Sequence, residues 1–255
     1  MADAKRNHLE NEHTREAIRA RVTGATRHSY LGDFVLGGVD GTVTTFAVVA
    51  GVAGAGLQNV GGASISAAVA LVLGLANLIA DGFSMAVSNY LSAKSDRQIV
   101  DRVRRLEEQH IDEIPEGERQ EIREIFSAKG FDDPLLDQIV QVITRNRRQW
   151  VDTMLTDEWG LQLETPSPLK SALATFAAFL MAGFVPLVPY CVPTDVHPAS
   201  LFQYSIALTA VSFVTIGVAK GFVVGRSKFL SALETLAVGG IAASLAYAVG
   251  LAFRA

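Results

Sequence analysis

Five apolar stretches decide what this chain can become: roughly 34–57, 64–91, 169–192, 201–225 and 229–253. Each is at least 24 residues long, or about 36 Å as α-helix, more than the ~30 Å hydrocarbon core of a bilayer. Cores of water-soluble domains rarely hold five such helices. The expected fold class is therefore an all-α integral membrane protein with five transmembrane helices. Charged residues make up 19% of the chain, against about 25% in a soluble domain, and the deficit lies in these five blocks.

The charge that remains is collected in one place. Between Ser95 and Glu164 lie 17 of the 26 acidic residues, with 10 basic ones. The expected organisation is a polar N-terminal segment (1–29), two spans (30–93), a helical domain (94–168) and three spans (169–255). Lys and Arg set the orientation of membrane helices. They are frequent before residue 30, in the acidic block and at Arg226 and Lys228, and absent from 57–63 and 193–200. This puts the N-terminus and the acidic block in the cytoplasm and the C-terminus outside, with Arg254 alone dissenting. No signal peptide is visible in residues 1–29, so a multi-pass protein of the inner cell membrane is expected. A short amphipathic helix is expected around 9–22, and His8 and His13 read as solvated residues of that tail. The single Cys191 excludes an intramolecular disulfide and a Cys-based metal site. A net charge of −4 and the acidic block leave no nucleic-acid partner expected; the partners are the bilayer, divalent metal ions and protons.

The spans carry groups that lipid does not welcome. Asp33 and Asp40 are two helical turns apart on span one, and Asp40 lies deep, where a carboxylate costs roughly 2.5–3.5 kcal/mol on insertion scales. It is either a pathway group or a hydrogen bonder in helix packing. Gly37, Gly38 and Gly41 around it permit close approach of another helix. On span two, Asn77, Asp81, Met85 and Asn89 recur every four residues and form one slowly winding stripe. A lone Met in a membrane helix usually packs, but Met85 sits one turn from an intramembrane Asp. Its thioether suits Fe(II) and other late divalent metals better than Ca(II) or Mg(II).

Nothing between Phe83 and Glu113 breaks a helix, so span two should run on to about Ile111. Pro115 should open a second helix closed by Gly130, and Asp133-Pro134 a third over 135–144. Gln149–Trp159 should form a fourth. In this block Glu107 and His110, Glu118 and Glu121, and Met154 and Glu158 are spaced to share a helix face and an ion. The alternative is a solvated acidic face. In the last three spans Lys220 can snorkel, and Glu234 can pair with it, Arg226 or Lys228. No internal repeat is evident, and five spans suit a two-fold homodimer that completes a pathway between protomers.

Gly-Gly-Val-Asp-Gly (37–41), Ala-Asp-Gly-Phe-Ser-Met (80–85), Asn-Tyr-Leu-Ser-Ala-Lys-Ser (89–95), Val-Pro-Leu-Val-Pro-Tyr (185–190) and Ser-Ala-Leu-Glu (231–234) together resemble the vacuolar iron transporter family. The resemblance covers nearly everything after residue 30. It implies a homodimer with a cytoplasmic metal-binding domain between spans two and three. It also implies proton-coupled export of Fe(II) along a path lined by span one of both subunits. By motif, Asp40 and Met85 match pathway residues, and Asp81 supplies a carboxylate one turn after Asn77, which replaces the one in plant relatives. Glu107, His110, Glu118, Glu121, Met154 and Glu158 fall on the cytoplasmic metal sites. His110 stands where relatives carry Glu, and Leu155 where some carry a second Met. The substrate implied is Fe(II), with Mn(II), Zn(II) or Co(II) as further ions for the cytoplasmic sites. A transporter rather than an enzyme is expected. The rivals are a membrane-anchored ferroxidase, which the Glu-x-x-His spacing of Glu107 and His110 would suit, and a metal sensor.

Overall fold

The computed structural model describes residues 13–23, 29–56, 63–191 and 197–253. His8 and Arg254, and the connections at 57–62 and 192–196, lie outside the described residues. The described chain is helical throughout: α1 (Arg15–Thr23), α2 (Leu31–Gly54), α3 (Ala63–Glu113), α4 (Pro115–Ala128), α5 (Leu135–Thr144), α6 (Arg147–Thr153), α7 (Pro168–Gly183), α8 (Val188–Cys191), α9 (Pro198–Val224) and α10 (Lys228–Ala252). Of the expected tail helix, residues 9–12 lie outside the described residues; α1 runs from Arg15, where Thr14 Oγ1 accepts a hydrogen bond from the Ala17 N–H.

Five segments are long and apolar enough to cross a membrane: α2, the first half of α3, α7 with α8, α9 and α10. The protein is a multi-pass membrane protein. Its bundle is built around α2, which touches each of the other four spans. Large apolar side chains such as Phe83, Val211, Phe222 and Ile241 point outward, as a lipid-facing surface requires.

The glycines of α2 explain that central place. A Cβ on Gly37 would run into the carbonyl oxygen of Thr175, and one on Gly41 into that of Phe179, both on α7. The two backbones approach so closely that only hydrogen fits. Gly41→Ala should therefore push α2 from α7 and cost about 1–3 kcal/mol, the usual range for overpacking. In detergent its melting temperature should drop by several degrees, whereas Gly240→Ala, which meets no atom within 4 Å, should leave it unchanged. Equal melting of the two would refute the close packing.

The third span is interrupted as its prolines dictate. Neither Pro186 nor Pro189 has an N–H to donate, and α7 passes through a 3-10 turn, Val185–Leu187, into α8. The carbonyl of Pro186 accepts a hydrogen bond from Ser205 Oγ at 2.7 Å, which satisfies it away from water.

As the unbroken sequence implies, α3 is one helix of 51 residues, about 76 Å long. It ends where the residue before Pro115 leaves the helical region, with Ile114 at φ −137° and ψ 55°. Beyond the bundle it packs with α4, α5 and α6 around a separate core that includes Val103, Ile122, Val140, Trp150, Met154 and Leu155. The expected fourth helix, 149–159, differs in detail. Asn146 Oδ1 caps it two residues earlier by accepting from the Gln149 N–H at 3.2 Å. Its end, Met154–Glu158, is a wide π-turn in which the Trp159 N–H reaches back five residues to the Met154 carbonyl.

Candidate metal centre

Helices α3, α4 and the π-turn after α6 bring five of the sequence-predicted groups to one place. Glu107, His110 and Glu118 offer ligand atoms within 4.8 Å of one another, and so do Glu107, Glu121 and Glu158. Glu107 belongs to both triads. Glu107 and Glu118 are 1% and 0% exposed, whereas Glu121 and Glu158 are exposed at the mouth. Both oxygens of Glu118 and Oε2 of Glu107 are buried without a hydrogen-bond partner. His110 Nδ1 comes within 3.2 Å of Glu118 Oε1, an ion-pair distance without hydrogen-bond alignment.

These carboxylates are not a solvated acidic face. Several other acids of the same domain pair with basic side chains: Arg104 reaches Asp152 at 2.7 Å, Arg123 reaches Asp133 at 2.9 Å and Lys129 reaches Asp157 at 2.6 Å. Among the described residues no Arg or Lys pairs with the clustered ones. Burial, with the charges of Glu121 and Glu107, pushes the Glu118 carboxyl up to about 8. Burial and the charge of Glu107 push Glu158 up to about 6 and raise Glu121. Buried acids lacking donors hold protons until a cation replaces them. Four carboxylates with an imidazole suit divalent ions such as Fe(II) or Mn(II).

One contributor was not anticipated. Trp159 Nε1 donates to Glu107 Oε1 at 2.9 Å, which orients the carboxylate shared by both triads and leaves its other oxygen for an ion. The only sequence signal was a Trp directly after Glu158; the π-turn that turns it toward α3 was not readable. Met154 lies on that same turn, fully buried in the apolar core, and Leu155 beside it is equally enclosed.

A second group of residues meets in the bundle. Asp40 and Met85, from α2 and α3, line one chamber of about 460 Å³ together with Lys220 and Glu234. Among the described residues Lys220 pairs with Glu234, at 3.2 Å, and not with Asp40. The Asp81 charge acts on Asp40. Asn77, Asp81, Met85 and Asn89 are all half-buried, as one helical stripe should be. Asp33 has a clear packing partner: Asn89 Nδ2 donates to Asp33 Oδ1 at 2.9 Å and to Thr175 Oγ1 at 2.7 Å, tying spans one, two and three together.

The family model described as the VIT family matches residues 31–251, from the start of α2 to the end of α10. The chain belongs to the VIT family. Among its VIT relatives, vacuolar iron transporter 1 of Oryza sativa subsp. japonica is 30% identical over 255 residues, covering 100% of this chain and 94% of that protein. Vacuolar iron transporter 1 of Arabidopsis thaliana is 31% identical over 84% of this chain and 82% of its own. The vacuolar iron transporter of Toxoplasma gondii is 31% identical over 88% and 74%. These VIT proteins are named as transporters, not enzymes, in line with the expectation from the sequence.

Proposed function

We propose that this VIT protein exports divalent iron from the cytoplasm in exchange for protons. The observation that carries the reading is the five-residue cluster whose buried carboxylates have no basic partner, in a chain whose relatives bear the name of iron transporters. The domain of α4–α6 lies on the cytoplasmic side and collects the ion at exposed Glu121 and Glu158. The ion then passes through the chamber lined by Asp40 and Met85. Protons occupy the same carboxylates when metal leaves, since only the deprotonated form is a good ligand. Asp40 is half-buried and its chamber lies open in a single chain, a geometry that a two-fold homodimer about α2 would close. Mn(II) is a second substrate consistent with oxygen-rich ligands.

The test is Fe(II) uptake, under anaerobic conditions, into proteoliposomes holding the full chain. Uptake should require an imposed pH gradient, acidic on the receiving side, and should collapse when a protonophore dissipates it. Equal uptake with and without the gradient would remove proton coupling, and no uptake at all would remove transport. The ferroxidase rival predicts oxygen consumption on adding Fe(II) in air; the one other Glu-x-x-His, Glu10 to His13, falls in the N-terminal tail, remote in sequence from Glu107 and His110, and these relatives are not named as oxidases. Metal binding with no flux would instead favour the sensor.

A further inference from the structure

Two chambers in the membrane bundle share a wall, and the wall is an ion pair. The chamber of Asp40 and Met85, about 460 Å³, and another of about 530 Å³ at the turn between α9 and α10 are both lined by Lys220 and Glu234. Lys220 Nζ donates to Glu234 Oε2 at 3.2 Å. On the turn side the lining includes Ser227 and Ser231. Ser231 is only 5% exposed, and its hydroxyl oxygen has no hydrogen-bond partner.

Each of these facts constrains what Lys220 does. Its ammonium is a compact fixed charge with three donors on a flexible stem, reaching one chamber wall that holds Asp40 and another that holds an unused acceptor. A salt bridge kept only for stability gives little when its members are partly exposed, as Lys220 and Glu234 are at 38% and 58%. Within a cavity shared with Asp40, however, an ammonium competes with any other cation for the carboxylates. Without it, Glu234 and Asp40 would present two negative charges to a divalent ion entering the chamber they both line.

We infer that Lys220 is a tethered counter-cation of the pathway: it neutralises the chamber carboxylates between substrates, and an arriving divalent cation displaces it toward the turn-side chamber, where Ser231 Oγ receives it. Glu234 then becomes a further carboxylate available to the substrate beside Asp40 and Met85. The arrangement keeps binding weak enough for release. The inference rests on the chamber being the cation's path, as proposed above, but its decisive measurement is one of binding rather than flux.

The measurement is equilibrium binding of Mn(II) to the purified full chain carrying Glu107→Gln, which disables both cytoplasmic triads and leaves the chamber to be read. Lys220→Met in that background should tighten binding by about tenfold or more, a gain of about 1.4 kcal/mol or more. Lys220→Arg, which keeps the charge, should restore the original affinity to within about threefold. Unchanged or weaker binding in Lys220→Met overturns the inference, because a purely structural ion pair predicts loss rather than gain. If Lys220→Met is not monodisperse, Lys220→Gln reads the same quantity with the same sign. In flux, half-saturation and maximal rate should both fall in Lys220→Met. A wild type that binds Mn(II) but carries no Fe(II) would defeat the transport reading and leave the binding comparison decisive for Lys220.

Discussion

Asp40→Asn should lower Fe(II) flux by about a hundredfold or more while metal binding at the Glu107–Glu118 cluster stays intact. The expectation follows from the position of the group. Asp40 lies on the central helix of the bundle and lines a chamber with a thioether, and the Lys220 ammonium in that chamber is paired with Glu234. A carboxylate at membrane depth is costly, so removing its charge should leave folding unharmed or slightly improved. What is lost is an anionic ligand for a divalent ion, and a hundredfold corresponds to about 2.7 kcal/mol. Uptake at the wild-type rate, with melting temperature unchanged, would show that the ion does not pass Asp40.

Glu107→Gln should have the largest effect on metal binding at the cluster, because this single carboxylate serves both triads. Affinity for Fe(II) or Mn(II) should drop by about a hundredfold or more at both sites together. The amide can still accept from Trp159 Nε1, so the fold has no reason to loosen. The pH dependence has a defined sign. Glu118 and Glu158 in the folded protein titrate at about 8 and about 6, above the ordinary value of 4.5. A metal must displace their protons, so wild-type affinity should rise from pH 6 to pH 8, by at most about tenfold per pH unit for each proton released. For the metal-free protein the sign is opposite. A raised folded pKa gives stability that is complete below the unfolded value and is lost as pH climbs through the folded one. Its melting temperature should therefore fall between pH 5 and pH 8, and added metal should recover most at the upper end. Binding that weakens with rising pH, or that survives Glu107→Gln, would refute the cluster as a metal site.

The legible part of this molecule was whatever one helix decides by itself. The five spans follow from length and hydropathy, and the unbroken α3 follows from the absence of Pro and Gly between Phe83 and Glu113. The pairs Glu107 with His110 and Glu118 with Glu121 follow from helical spacing. What spacing could not say is that three such faces converge. That meeting depends on the turn at Pro115 and on the π-turn at Met154–Glu158, a change of helical pitch that no periodicity announces. It also withheld the difference between acids that face water beside Arg and acids that do not, which is a matter of tertiary burial. In the bundle, Asp40, Lys220 and Glu234 were each conspicuous alone. Their shared chamber arises from the packing of α2 against α10, with α9 beside them, and long-range packing of that kind leaves no local pattern.

The unbroken α3 joins the two halves mechanically. Met85 in the chamber and Glu107 in the cluster are 22 residues apart on that one helix, about 33 Å along its axis with no glycine or proline to act as a hinge. A stiff rod of that length works as a lever: a tilt of about 5° at one end carries the other through about 3 Å. Any rigid-body swing of the cluster domain is thereby also a displacement of the thioether in the bundle, so the cluster and the chamber cannot shift independently.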